Sequence, residues 1–147
     1  MAVKILEIHH HTFRVGYGEH ALSSARSFYE DVLGLTVDKA RPFIPEAPGL
    51  WLDVAEAGQI HLIALSESSA LAQGPGQDPT DPHVAFGVAD IVETRNELDR
   101  LGVDYWSMNV VAKGTSKMQL FLNDPNGNLV ELHQIGTCRC MPGQRTA

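Results

Sequence analysis

The feature that most constrains this chain is that it is written twice. His10-His11-Thr12-Phe13-Arg14-Val15 and His83-Val84-Ala85-Phe86-Gly87-Val88 carry His, Phe and Val at equal spacing. Leu50-Trp51-Leu52-Asp53 corresponds to Leu120-Phe121-Leu122-Asn123, and eleven residues past each leading leucine stands a polar residue, His61 in one copy and Glu131 in the other. The offset between copies is 73 residues at His10 and His83 and 70 at His61 and Glu131, a drift that loops absorb. Like units each expose an apolar face that a neighbour must cover, so the repeat predicts two modules sharing one core. At 147 residues with 44% hydrophobic content, the chain is long enough for that core and too apolar for disorder.

The periodicity within each copy gives the elements. Val3 to Val15 is rich in β-branched and aromatic residues and reads as a strand. Ala25, Phe28, Tyr29, Val32 and Leu33 recur at helical spacing, predicting a helix over Ala21 to Leu33, capped by Ser23 or Ser24 and closed by Gly34, with His20 left in a loop. Three prolines and a glycine make 41–49 a loop, and Leu50 to Val54 and Gln59 to Leu65 form a hairpin. In the second copy, His83 to Val88 is a strand, and Asp90 with Glu93 opens a helix that Gly102 ends. Val103 to Met108 follows as a strand and 111–117 as a flexible loop. Lys117 to Asn123 and Leu129 to Ile135 are joined by the turn Asp124-Pro125-Asn126-Gly127-Asn128. The expected fold class is α+β, two βαβββ modules in a pseudo-two-fold arrangement forming a cupped mixed sheet. Residues 1–66 are the first module, 67–82 a linker, 83–136 the second module and 137–147 a flexible tail.

Symmetry then places residues opposite one another. If equivalent positions face across the axis, His10 meets His83 and His61 meets Glu131, giving three imidazoles and one carboxylate on strands rather than loops. That donor set suits one borderline divalent ion, Zn, Fe, Mn, Ni or Co. Strand alternation turns His9 and His11 away from His10, and brings Ile8, Thr12, Gln59, Ile63, Ala85, Phe121, Leu129 and His133 to the cup. His133 is read as an acid/base, a substrate contact or a strand-end cap, and Trp51 and Trp106 as mouth or core residues. Arg14, Lys113 and Lys117 are read first as solvated charges and second as partners for an acidic substrate group.

The balance of 11 Lys and Arg against 18 Asp and Glu, a net −7 without any basic run, argues against nucleic acid. No apolar stretch approaches the ~20 residues of a membrane span. Cys138 and Cys140 lie in the polar tail and form no disulfide framework, so a reducing cytoplasm is expected.

Ile8-His9-His10, Ser27-Phe28-Tyr29-Glu30-Asp31-Val32-Leu33-Gly34-Leu35, Gly58-Gln59-Ile60-His61-Leu62, His83-Val84-Ala85-Phe86 and Asn123-Asp124-Pro125-Asn126-Gly127-Asn128-Leu129-Val130-Glu131-Leu132 together resemble the vicinal oxygen chelate superfamily. That superfamily includes glyoxalase I, bleomycin resistance proteins, methylmalonyl-CoA epimerase and extradiol dioxygenases, and the resemblance runs over about residues 5–136. It implies metal ligands at His10, His83 and Glu131, with His61 either a fourth ligand or an acid/base. It implies a small chelating substrate, a homodimer, and a glyoxalase-type lyase or isomerase that stabilises an enediolate-like intermediate, with His61 and Glu131 as catalytic residues. Glyoxalase I usually has glutamate at the place of His61, and extradiol dioxygenases usually have tyrosine at the place of Phe121. The alternatives are a single-domain ring-cleavage dioxygenase and a drug-resistance or metabolite-binding protein.

Overall fold

The computed structural model describes residues 2–112 and 115–136, so the expectations on Lys113, Cys138, Cys140 and the tail lie outside the described residues. The chain runs β1 (Ile5–Arg14), α1 (Gly18–Ser27), β2 (Thr36–Val37), β3 (Gly49–Val54), β4 (Gly58–Ile63), β5 (His83–Val88), α2 (Ile91–Leu101), β6 (Trp106–Ala112), β7 (Thr115–Asn123) and β8 (Leu129–Gln134). All eight strands form one mixed sheet in the order β2-β3-β4-β1-β5-β8-β7-β6. The order is symmetric about the β1–β5 junction: each copy lays its first strand at the middle, its last beside it and its second at the outer edge. β1 pairs with β5 antiparallel, while β1–β4 and β5–β8 are parallel. The α+β architecture read from the repeat is the one observed.

The second helix forms as its sequence directs. Asp90 accepts from the amides of Val92 and Glu93 at 2.8 and 3.0 Å, and Gly102 ends the helix at φ 66°. α2 buries Ile91 and Leu98 against Val88, Leu120 and Leu132 of the sheet, the main apolar cluster of this half.

The first helix departs from expectation. It begins at Gly18, with Tyr17 at the cap and no side-chain capping bond, so Ser23 and Ser24 lie inside it, as does His20. Gly16 and Gly18 both take positive φ (92° and 87°), which reverses the chain directly after β1 and lets the helix start early. Its last stretch, Phe28–Val32, widens into a π turn. Phe28, Val32 and Leu33 are exposed at 50, 69 and 54% instead of forming a buried face, and the regular part of α1 buries no residue either.

Two further corrections concern loops and charges. The expected loop 111–117 is not borne out at its described residues: β6 and β7 pair as far as Ala112 with Thr115. Arg14 is not a solvated edge charge. It donates to the carbonyls of Leu65, Glu67 and Thr80, the Thr80 hydroxyl, and the carboxylates of Asp78 and Asp81. Asp78 is itself buried and accepts from Ser69 and Thr80, so the segment joining the copies is tied to β1 by charge-assisted bonds. Among the described residues, no helix is long and apolar enough to cross a membrane.

Candidate metal centre

The site follows from the register. Lateral rows cross the sheet at matched positions: Gln59 (β4), His10 (β1), Ala85 (β5) and Glu131 (β8) form one row, and His61, Thr12, His83 and Leu129 the next. Rows two residues apart share a face, so His10, His61, His83 and Glu131 all emerge on the same side. In the first row Ala85 stands between His10 and Glu131.

Three of the four expected donors converge. His83 Nε2 lies 3.0 Å from Glu131 Oε2 and 3.4 Å from His10 Nε2, and His10 Nε2 lies 3.5 Å from the same oxygen. All three residues are buried. Two donors about 2.1 Å from one ion stand about 3.0 Å apart at a right angle and about 3.4 Å apart at the tetrahedral angle, so the observed separations fit a single divalent ion. The supporting contacts fit as well. His83 Nδ1 donates to the Asp81 carbonyl at 2.6 Å, which turns Nε2 toward the cluster. Gln119 donates to Glu131 Oε1 at 2.8 Å, leaving Oε2 for the two histidines. Thr12 Oγ1 is 3.3 Å from His83 Nε2.

His61 stands beside this trio rather than within it. Its ring stacks on His10 at 3.8 Å and on Trp51 at 4.7 Å, within 15° and 13° of parallel. The Gln59 amide donates to Asp38 and Asp53 at 2.9 and 2.8 Å, which orients its carbonyl oxygen toward His61 Nε2 at 2.9 Å. That oxygen can only accept, so His61 carries its proton on Nε2 and its lone pair on Nδ1.

Charge is distributed unevenly. Burial pushes His61 well below the usual imidazole range, with His10 adding to the effect, and burial lowers His10 too. Burial opposes ionisation of Glu131, but its bonds to His10 and His83 bring it well below the usual carboxylate range. Burial also opposes charge on His83, yet the Glu131 carboxylate beside it raises its pKa. Nδ1 of His83 donates to a carbonyl while its Nε2 faces the Glu131 carboxylate, and a divalent ion between them would turn the pair into two ligands.

Strand parity failed at one place. The pairing of β1 with β5 shifts register twice, between Ile5 and Glu7 and between Ile8 and His10, and the second shift is a β-bulge that turns both His9 and His10 inward. His9 is therefore fully buried rather than facing away, while Ile8, expected in the cup, is 60% exposed. His11 faces out as expected. His9 meets His133 ring to ring at 3.5 Å, and His133 lies 6.0 Å from His10. Burial lowers His9 to about 3 and His133 to about 4. Both tryptophans are partners of the site's own rings: Trp51 stacks on His61, and Trp106 on buried Phe121 at 4.2 Å. Sequence reasoning missed Gln119, which shares a face with Phe121 and was within reach of the same alternation. It also missed Asp38, Asp53 and Asp81, whose roles arise from contacts between distant segments.

The family model described as Glyoxalase/Bleomycin resistance protein/Dioxygenase superfamily matches residues 8–132. The protein called Glyoxylase I 4 from Arabidopsis thaliana is 29% identical over 120 residues, covering 82% of this chain; the chain spans 65% of that relative's length. Methylmalonyl-CoA epimerase from Mycobacterium tuberculosis has the same fold, with a TM-score of 0.64 at 22% identity over 91% of both chains. Homoprotocatechuate 2,3-dioxygenase from Brevibacterium fuscum matches with a TM-score of 0.59 at 22% identity, over 90% of this chain and 33% of that one. With the repeat, the eight-stranded sheet and the family match over most of its length, this chain belongs to the glyoxalase/bleomycin resistance protein/dioxygenase superfamily.

Proposed function

We propose that the protein is a divalent-metal-dependent enzyme of this superfamily, a glyoxalase-type lyase or isomerase that moves a proton next to a carbonyl of a small chelating substrate. The observation that carries this reading is the convergence of His10, His83 and Glu131 within ligand spacing of one another. An ion held by these three groups supplies Lewis acidity to two neighbouring oxygens of a bound substrate. Support for His61 over Glu131 as the proton acceptor comes from their surroundings. Glu131 is held anionic by two histidines and an amide, as a ligand should be. His61 is held neutral by burial and its Nε2 proton is engaged by Gln59, so a substrate proton would go to Nδ1. Trp51 and His10 sandwich the ring and keep it from rotating away.

The same reading extends to a homodimer in a reducing cytoplasm. Ile5, Leu6, Ile8 and Phe13 are exposed along β1, an apolar row that a second copy would cover.

A second reading, ring-cleaving dioxygenase, is favoured by the two-histidine, one-carboxylate set typical of non-haem iron. Phe121, stacked on Trp106 and buried, offers no hydroxyl there.

Proton–deuterium exchange followed by NMR separates the two. Metal-loaded protein should exchange the proton adjacent to the carbonyl of a 2-oxoaldehyde–thiol adduct or an α-substituted acyl thioester. His61→Ala should slow that exchange about 10²–10⁴-fold while keeping its metal. No exchange with either substrate class, alongside catechol-dependent O₂ uptake by the iron-loaded protein, would replace the first reading with the second.

A further inference from the structure

One strand row from the trio, on the same face, lies a second group of donors that the proposed function does not use. The row runs Glu7 (β1), Gly87 (β5), His133 (β8) and Gln119 (β7), and the bulge adds His9. The ligand atoms of His9, His10 and His133 lie within 4.8 Å of one another, and all three residues are buried. Glu7 Oε1 stands 2.8 Å from His9 Nε2, but out of line for a hydrogen bond. Both ring nitrogens of His9, Nε2 of His133, Oε1 of Glu7 and Oε1 of Gln119 are shut off from solvent without a hydrogen-bond partner. A folded protein seldom leaves one such atom unsatisfied, and each costs about 1–3 kcal/mol. Neutral His9 keeps a proton on one ring nitrogen, so up to four electron pairs, from His9, His133, Glu7 and Gln119, gather in one place, and what they share is a need for a cation or for protons.

The backbone is shaped around this group. A Cβ on Gly87 would come within 2.7 and 2.8 Å of Glu7 Cγ and Oε1 and within 2.8 Å of Ile135 Cγ2, so the glycine leaves space over β5 that the Glu7 carboxylate and Ile135 share.

We propose that His9 and His133, with His10 between the two groups and Glu7 closing the set, form a second transition-metal site beside the first. It would take a nitrogen-preferring divalent ion of the Zn(II), Ni(II) or Cu(II) class. An imidazole has two ring nitrogens, so His10 can serve both groups as a bridging imidazolate, its N–H proton being released to solvent when the second ion binds. Each group contains one carboxylate, Glu131 or Glu7, to offset the charge of its ion. The site goes beyond the proposed function and stands without it.

Chelator-stripped protein is dialysed against Zn(II) or Ni(II) and bound metal is counted by elemental analysis. Wild type should hold two equivalents. One should remain in His9→Asn/His133→Asn and one in Glu131→Gln, with circular dichroism checking the fold; His133→Asn alone replaces the double variant if that does not fold. Two other results overturn the second site: a wild type that holds no more than one equivalent and loses it in Glu131→Gln, or a second equivalent that persists without His9 and His133. In the first case the proposed function still stands, and buried water satisfies the orphaned atoms. A single equivalent lost with His9 and His133 but kept in Glu131→Gln supports this site and refutes the first.

Discussion

Gln119→Leu isolates the contact that aims Glu131 at the histidines. The Gln119 amide donates to Oε1 at 2.8 Å and leaves Oε2 at 3.0 Å from His83 and 3.5 Å from His10. A hydrogen bond to a charged group contributes about 1.5–3 kcal/mol, and each 1.4 kcal/mol is tenfold in affinity. Metal should therefore bind about 10–100-fold more weakly, the range for partners that orient ligands. Stability of the stripped protein should fall by no more than about 1–2 kcal/mol, because losing this bond to a buried carboxylate is partly offset. Leucine has a similar volume, and the substitution also removes Gln119 Oε1, a buried atom without a partner. The assay is competition for Zn(II) against a chromophoric chelator, with thermal unfolding of the stripped protein alongside. Metal affinity within twofold of wild type would refute the reasoning, because Glu131 would then need no orienting partner. A large fall in melting temperature would make Gln119 structural instead.

Buried neutral histidines set the acid response. His9 and His133, held at about 3 and about 4 by burial, resist protonation in the folded state, whereas unfolded histidine takes a proton near 6.5. The unfolded state binds more protons in that window, so the stripped protein should lose stability as pH falls from about 6.5 toward about 4. Each histidine contributes up to about 1.4 kcal/mol per pH unit, and a denaturation midpoint flat across the window would contradict this. Arg14→Met should release the segment between the two copies and cost about 2 kcal/mol, since six acceptors lose one guanidinium. Limited proteolysis should then cut within residues 66–82, and an unchanged digestion pattern would count against the tie.

How much of this was legible depends on the range of the interactions involved. α2 is local: the Asp90 cap and the Gly102 terminator act within one turn of the chain, and both stand where their letters indicate. His10, His83 and Glu131 were visible because the repeat converts distant positions into equivalent ones, and a symmetric sheet order then sets β1 beside β5 and β5 beside β8. Alternation carried the reading along each strand until the bulge in β1. There one extra residue reversed the phase, burying His9 and exposing Ile8.

The sequence by itself determined the repeat, the strand and helix content and three of the convergent donors, since these follow from periodicity and residue chemistry. Only the tertiary structure decided the rest. Arg14 became a clamp because a loop some fifty to seventy residues away folds over it. His61 stacks beside the trio because Gln59 is held by Asp38 and Asp53, residues that meet only when β3 and β4 pair and the segment after β2 packs against them. The bulge that turns His9 inward is a feature of how β1 pairs with β5, a strand more than seventy residues away, which local alternation does not encode.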